Sequence, residues 1–248
     1  MNNAPTERGG YNFLCAAADS TIALLCFKID IMPRLPFITF EGSEGCGKST
    51  QVQRLAEHFK RSGIPHLVTR EPGGTPIGES IRELLQFAPH GSAMKPETEL
   101  LLFEASRSQL VRQVIKPALE QGTCVISDRF FDSTTVYQGA ARKLDPETVK
   151  RLNDFAVNDC RPDITFVLDV DLATAQSRME ETARRPDRME QQPPEFYEAV
   201  RNAYQQLAQR EPNRVFVIDG TQAADKIGNQ IWDTLAARFS VLASKSRI

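Results

Sequence analysis

The chain has 248 residues, 41% hydrophobic and 25% charged, enough to bury one sizeable α/β core in place of two small ones. Its net charge of -2 gives no electrostatic case for nucleic acid or an anionic membrane as the main partner. Five cysteines (Cys15, Cys26, Cys46, Cys124, Cys160) without C-x-x-C spacing, and three histidines that form no ligand cluster, speak against disulfide and zinc frameworks and for a reducing, cytoplasmic setting.

Residues 1–35 read as an extension outside the folded domain and disordered, because "MNNAPTERGGYNFLCAAADS" has no periodic pattern. The apolar run "TIALLCF" is too short to span a bilayer. Glu7 beside Arg8 and the absence of a small-residue cleavage site make a signal peptide a poor fit. Met32 just precedes the first strand, which leaves a translation start at either Met1 or Met32 open.

From residue 36 to 248 the chain alternates. β-rich runs at 37–40, 66–69, 124–127, 164–168 and 215–218 are separated by amphipathic segments, among them Ile81, Leu84 and Leu85, then Phe103 onward to Val114, and Ile227, Ile231 and Leu235. Asp145-Pro146 and Pro194 mark helix starts. That order predicts an α/β fold with a five-stranded parallel sheet flanked by helices, and such sheets bind ligands at the carboxyl ends of their strands.

After the first strand comes "GSEGCGKST": Gly42, Ser43, Glu44, Gly45, Cys46, Gly47, Lys48, Ser49 and Thr50. It matches G-x-x-x-x-G-K-[ST], whose backbone N–H groups cradle phosphates while the lysine reaches the outer phosphates and the hydroxyl meets magnesium. A strand before it and the helical spacing of Val52, Leu55, Ala56 and Phe59 after it supply the context the motif requires. Cys46 reads as a small filler with no assigned chemistry.

Charged residues recur where strands end. Asp128 and Arg129 close one run, the carboxylate suiting magnesium or, alternatively, capping the next turn. "REPGGT" leaves the second strand, with Arg70 placed either for a bidentate phosphate contact or simply exposed on a β-to-α turn. Residues 181–194, "ETARRPDRMEQQPP", break the alternation with Arg184, Arg185 and Arg188 and almost no apolar residues. A solvated charge run and a lid closing on phosphates are both open; the phosphate loop favours the lid.

Together "FEGSEGCGKST", "TREPGGT", "LLFEASRSQL", "SDRFFDSTTVYQG" and "RPDITFVLDVD", in that order, resemble the bacterial thymidylate kinase family from about residue 36 to the C-terminus. The resemblance implies a three-layer P-loop NTPase fold and ATP- and Mg2+-dependent phosphorylation of dTMP to dTDP in dTTP synthesis. It implies that Phe103 stacks on thymine and that Arg107 donates to a thymine carbonyl; without it, Phe103 would read as helix core. It places Glu44 at the sugar hydroxyl or its magnesium and water network, Arg70 and Arg129 at the phosphates, and Ser133, Thr134, Tyr137 and Gln138 in the nucleoside pocket. Arg82 falls at the acceptor phosphate, Lys48 at the donor β- and γ-phosphates, and Ser49 and Asp128 at the metal. The eukaryotic branch of the family carries an arginine where this loop has Gly45 and Cys46, so the lid arginines become the source of that charge; Arg188 matches the lid pattern, and either Arg184 or Arg185 matches its first arginine. A homodimer is implied, with the helix over 100–114 as candidate surface. Another nucleoside or nucleotide kinase is the near alternative. A GTPase switch is the distant one, opposed by the lack of an Asn-Lys-x-Asp sequence and by a D-x-x-G match, Asp225 to Gly228, that follows the last strand.

Overall fold

The computed structural model describes residues 34–181, 188–189 and 191–243. The segment before Met32, Met32 itself, Arg184 and Arg185 lie outside the described residues, as does half of the expected lid.

Five parallel strands form one sheet in the order β2-β3-β1-β4-β5, where β1 is Phe37–Glu41, β2 His66–Arg70, β3 Cys124–Asp128, β4 Ile164–Asp169 and β5 Val215–Asp219. Each strand runs one residue beyond its apolar run, to Glu41, Arg70, Asp128, Asp169 and Asp219. Parallel pairing continues through those charged residues, Arg70 opposite Asp128 and Asp169 opposite Asp219, which aligns them along the carboxyl edge.

Alternation of side chains gives the sheet two faces. Ile38, Phe40, Ile126, Phe166 and Leu168 pack on one face with Leu55 and Phe59 of α1 (Lys48–Arg61) and Ile231, Trp232 and Leu235 of α9 (Ala224–Arg238). Phe37 and Val125 face the other way, against Leu110 at the end of α3 (Pro96–Leu110) and Val111 and Ile115 beyond it. Val167 and Val215 meet Val200, Tyr204 and Leu207 of α8 (Pro194–Arg210). The α2 helix (Pro76–Phe87) precedes α3. Cys46 is fully buried and belongs to the first core, as a small filler.

Helix starts follow the sequence signals. In α6 (Pro146–Val157) the Asp145 carboxylate accepts from the Thr148 N–H at 2.9 Å, and proline occupies the first turn of α2, α3, α6 and α8. The apolar run after Phe103 is not one regular helix. A π-helical turn, Val111–Ile115, joins α3 to α4 (Lys116–Glu120), because Pro117 has no N–H to donate and its ring crowds the preceding turn. A second π-helical segment, Thr135–Ala141, continues α5 (Phe131–Thr134). The α7 helix (Leu172–Glu180), capped by Asp171, and the short α10 (Ser240–Ala243) complete the described elements. Asp225 to Gly228 lies in the first turns of α9, so this D-x-x-G follows the sheet and heads no switch segment.

Candidate active site

The loop between β1 and α1 is held by its glycines and by Lys48. Gly42 adopts φ +132°, and a Cβ there would meet the Leu168 carbonyl oxygen at 2.5 Å, so backbone and sterics both demand glycine. Lys48 Nζ donates to the carbonyls of Gly42 at 3.2 Å and Ser43 at 2.7 Å, and the ammonium lies over the loop at the start of α1. A helix N-terminus with free N–H groups and an adjacent ammonium is an anion site. Ser49 Oγ donates to Asp128 Oδ2 at 2.7 Å and so links α1 to the end of β3.

One cavity of about 530 Å³ opens along the carboxyl edge. Glu44, Gly45, Gly47, Lys48, Ser49 and Thr50 line its loop side. Arg70, Arg82, Phe103, Arg129, Tyr137 and Gln138 line the opposite side, with Asp128 and Ser133 between. A smaller cavity shares Gly47, Thr50 and Arg178 with it and is closed by Gly220, Gln222, Ala224 and Ile227. Most residues expected at the site therefore meet in one space.

Arg129 takes φ +69°, a left-handed conformation that a non-glycine residue adopts only when its surroundings hold it there. Its guanidinium donates to Glu44 Oε1 at 2.6 Å, Ser133 Oγ at 3.1 Å and the Tyr137 hydroxyl at 3.3 Å, and lies over the Tyr137 ring. Arg70 pairs with Glu79 at 2.7 Å, and Arg82 donates to the Pro72 carbonyl at 3.0 Å. Gly74 of "REPGGT" has φ +76°, and a Cβ would strike the Thr69 hydroxyl at 2.5 Å, so the turn that follows Arg70 requires glycine there.

Three expected residues, Arg107, Thr134 and Arg188, do not line this cavity and have protein partners of their own. Arg107 is 1% exposed and does not line the cavity. Its guanidinium donates to Glu71 Oε2 at 2.8 Å, Asn153 Oδ1 at 3.0 Å and Thr134 Oγ1 at 2.9 Å, and pairs with Glu104 at 2.9 Å. A buried cation must be matched by charge and acceptors, and here four protein groups from separate elements fill that need, with the guanidinium over the Phe130 ring. Thr134 is likewise buried as an acceptor for Arg107. Two carboxylates face this one guanidinium. Burial pushes the Glu71 carboxyl up to about 8 although Arg107 pulls it back, and burial also raises Glu104.

Arg188, expected to reach the phosphates, is held at Glu99 and at the end of α2: its NH1 lies 2.6 Å from Glu99 Oε2 and its Nε donates to the Leu85 carbonyl at 2.9 Å. Gly42, Ser43 and Cys46 shape the loop from behind and do not line the larger cavity.

Some residues of the site escape a reading of motifs. Arg178 lines both cavities and donates to the Gly220 carbonyl at 3.0 Å; its only signal in sequence is a helical position just before the arginine-rich stretch. Glu41 is fully buried and accepts from the Phe130 N–H at 2.8 Å, Ser133 Oγ at 2.6 Å and the Tyr204 hydroxyl at 2.7 Å. Burial, with the Asp132 charge, raises its pKa above the usual carboxylate value. Its clue was a carboxylate at the end of an otherwise apolar strand.

A phosphate loop at the middle strand of a parallel sheet, facing a second lobe of cationic and aromatic side chains within one cavity, defines a P-loop phosphotransferase with a donor side and an acceptor side. The family model for thymidylate kinase matches residues 40–231. The chain is 49% identical over 195 residues to a thymidylate kinase of Fervidobacterium nodosum, covering 79% of this chain and 95% of that one, and 46% identical over 207 residues to one of Geobacter sulfurreducens, covering 82% and 97%. It superposes on the crystal structure of thymidylate kinase from Ehrlichia chaffeensis with a TM-score of 0.66 at 37% identity, over 82% of this chain and 99% of that one. The chain belongs to the thymidylate kinase family.

Proposed function

We propose that this chain transfers the γ-phosphoryl group of ATP to the phosphate of dTMP, giving dTDP and ADP in the synthesis of dTTP. The observation that carries this reading is the single cavity in which Lys48, Ser49 and the loop face Arg70, Arg82, Phe103 and Gln138. Such a reaction needs no covalent intermediate, and positioning with charge neutralisation does the work.

Lys48 and the loop N–H groups hold the donor β- and γ-phosphates, with the rest of the nucleotide directed to the cavity bounded by Arg178, Gln222 and Ala224. Phe103 offers a flat apolar face to the acceptor base, Gln138 and Tyr137 border it, and Arg70, Arg82 and Arg129 surround its phosphate. Glu44, tied to Arg129, faces the sugar. Arg107 and Thr134 act from behind by fixing Glu71 and the wall that carries Phe103. Ser49 and Asp128 fit a Mg2+ ion, being oxygen donors in contact at the loop with room left for water and phosphate oxygens. Bound there, Mg2+ would neutralise charge on the donor phosphates.

The kinase domain on this reading is 36–248, with its lid near 181–194 and residues 1–35 outside it. Among the described residues no helix is long and apolar enough to cross a membrane. The cytoplasmic setting rests instead on the free nucleotides the reaction uses and on the cysteines scattered without C-x-x-C spacing. A homodimer is supported by exposed apolar side chains, Ile77, Leu84 and Phe87 on α2, Leu101 on α3 and Phe155 on α6. Much of 100–114 is spent inside the chain, since Leu100, Leu110 and Val111 are buried, so that the face rests on α2 and α6 as well. ATP consumption measured with and without dTMP tests the central reading: turnover that is independent of dTMP overturns it.

A further inference from the structure

Gln138 borders the acceptor side of the cavity, and among the described residues its side-chain amide has one hydrogen-bond partner, Nε2 donating to Glu99 Oε1 at 2.7 Å. Glu99, in the first turn of α3, is 1% exposed and does not line the cavity. It also receives Arg142 Nε at 3.2 Å, Arg142 NH2 at 3.3 Å and Arg188 NH1 at 2.6 Å. Burial alone would raise this carboxyl, but the hydrogen bond from Gln138 and the two guanidinium charges outweigh it and hold the pKa below the usual value. Glu99 is therefore an anion that can only accept.

That one-sidedness fixes the amide. Gln138 can meet an ionised carboxylate only through its NH2, because the flipped amide would set oxygen against oxygen in a buried place. The carbonyl oxygen is then the group left for the cavity, and no protein donor among the described residues reaches it.

We propose that Glu99 is a positioning residue for base selection, holding the Gln138 amide so that its carbonyl oxygen accepts from a pyrimidine that carries N3–H and rejects one whose N3 is itself an acceptor. Thymine and uracil carry that proton; cytosine presents a lone pair at N3. The contact discriminates dTMP from dCMP by pairing against repulsion, and it is blind to the 5-methyl group, so it does not separate dTMP from dUMP. This rests on the reading that the cavity seats dTMP, and it names the device that reads the base.

The test compares kcat/KM for dTMP, dUMP and dCMP, at saturating ATP, in wild type, Glu99→Gln, Gln138→Met and the double variant. Glu99→Gln can donate as well as accept, which frees the Gln138 amide to turn. The dTMP to dCMP preference should fall about tenfold or more, as for a lost hydrogen-bond reader, while the dTMP to dUMP ratio stays as in wild type. Gln138→Met should lower the same ratio, and the double variant should lower it no further. A folded Glu99→Gln that slows all three substrates equally overturns the inference, because a purely structural role predicts that result. If Glu99→Gln does not fold, the wild-type protein decides: the Gln138 side-chain amide protons, assigned by their loss in Gln138→Met, should stay protected from exchange both free and with dTMP bound, and exchange at the solvent rate overturns the inference. Wild type that does not turn over dTMP defeats the functional reading itself, a result separable from an unchanged ratio.

Discussion

Ser49 and Asp128 touch across 79 positions of sequence, the hydroxyl donating to Oδ2 at 2.7 Å, so the first turn of α1 and the end of β3 share one oxygen-rich point beside the phosphate loop. A carboxylate that merely capped the turn after β3 would have no reason to meet the loop hydroxyl. Asp128→Asn keeps the shape and removes the charge. Activity should fall by about 10 to 100-fold, as for other residues that orient a metal site, and the Mg2+ concentration for half-maximal rate should rise. A titration of rate against Mg2+ checks this, and an unchanged Mg2+ dependence would leave Asp128 as a structural cap.

Asp132 and Arg214 tie α5 to the turn before β5. The carboxylate is fully buried and bidentate, accepting NH1 at 2.7 Å and NH2 at 2.8 Å, while Thr165 also donates to it at 3.1 Å. Removing the carboxylate leaves a largely enclosed guanidinium beside Phe131 with Glu211 as its remaining ion-pair partner, at 2.7 Å. Asp132→Ala should therefore cost about 3 kcal/mol, the low end of the range for breaking a buried pair. Urea denaturation at neutral pH measures it, and a loss below about 1 kcal/mol, the value of an exposed pair, would show that the site rehydrates.

What the sequence disclosed and what it hid divide along physical lines. The five strands, the loop and the helix caps at Asp145 and Pro146 depend on neighbours within a few residues, and local pattern exposes them. The added strand residues Glu41, Arg70, Asp128, Asp169 and Asp219 depend on ladder partners in other strands, so apolar runs stop short of them. The π-helical turn at Val111–Ile115 follows from Pro117, yet an apolar period reads through it as an unbroken helix. Arg107 and Arg188 show the sharper limit. Residue type and motif point them toward nucleotide, while the structure adds protein partners that motif does not show, Glu71, Asn153 and Thr134 for the first and Glu99 and Leu85 for the second. Those partners lie as far as 103 positions away, and no spacing rule links them.

The pair of carboxylates around Arg107 gives a prediction in pH. Burial raises the Glu71 carboxyl from 4.5 to about 8, with Arg107 opposing and Glu104 and Glu41 adding to the rise. Between those values the folded protein keeps a proton that the unfolded chain has released, so stability is lost as pH rises through the window and levels off above it. Glu71→Gln removes this titration and keeps acceptors for Arg107. Denaturation midpoints from about pH 5 to about pH 8 should decline for wild type relative to Glu71→Gln; parallel curves would show that Glu71 is ionised throughout.

The loop carries Gly45 and Cys46 and no arginine, so the charge that bridges donor and acceptor during transfer must come from outside it. Arg188 is committed to Glu99, with NH1 at 2.6 Å, and to the Leu85 carbonyl. Arg178 stands nearer: it borders the cavity beside Gly45, and it reaches the Gly220 carbonyl at 3.0 Å. Arginines that act only in the transition state raise kcat, whereas those that anchor a segment shift kcat and KM together. Arg178→Ala should therefore lower kcat with little change in KM for dTMP, and Arg184→Ala with Arg185→Ala should deepen the loss. The size should stay under the factor of about 10³ to 10⁵ known for single arginine fingers in GTPases, since several arginines share the task. Arg188→Ala, in contrast, should raise the KM for dTMP along with its loss of kcat, because it releases Glu99 and with it the wall that holds Gln138. Steady-state kinetics of the three variants at saturating ATP separate these roles, and near-normal kcat in Arg178→Ala would return the bridging charge to Arg184 and Arg185.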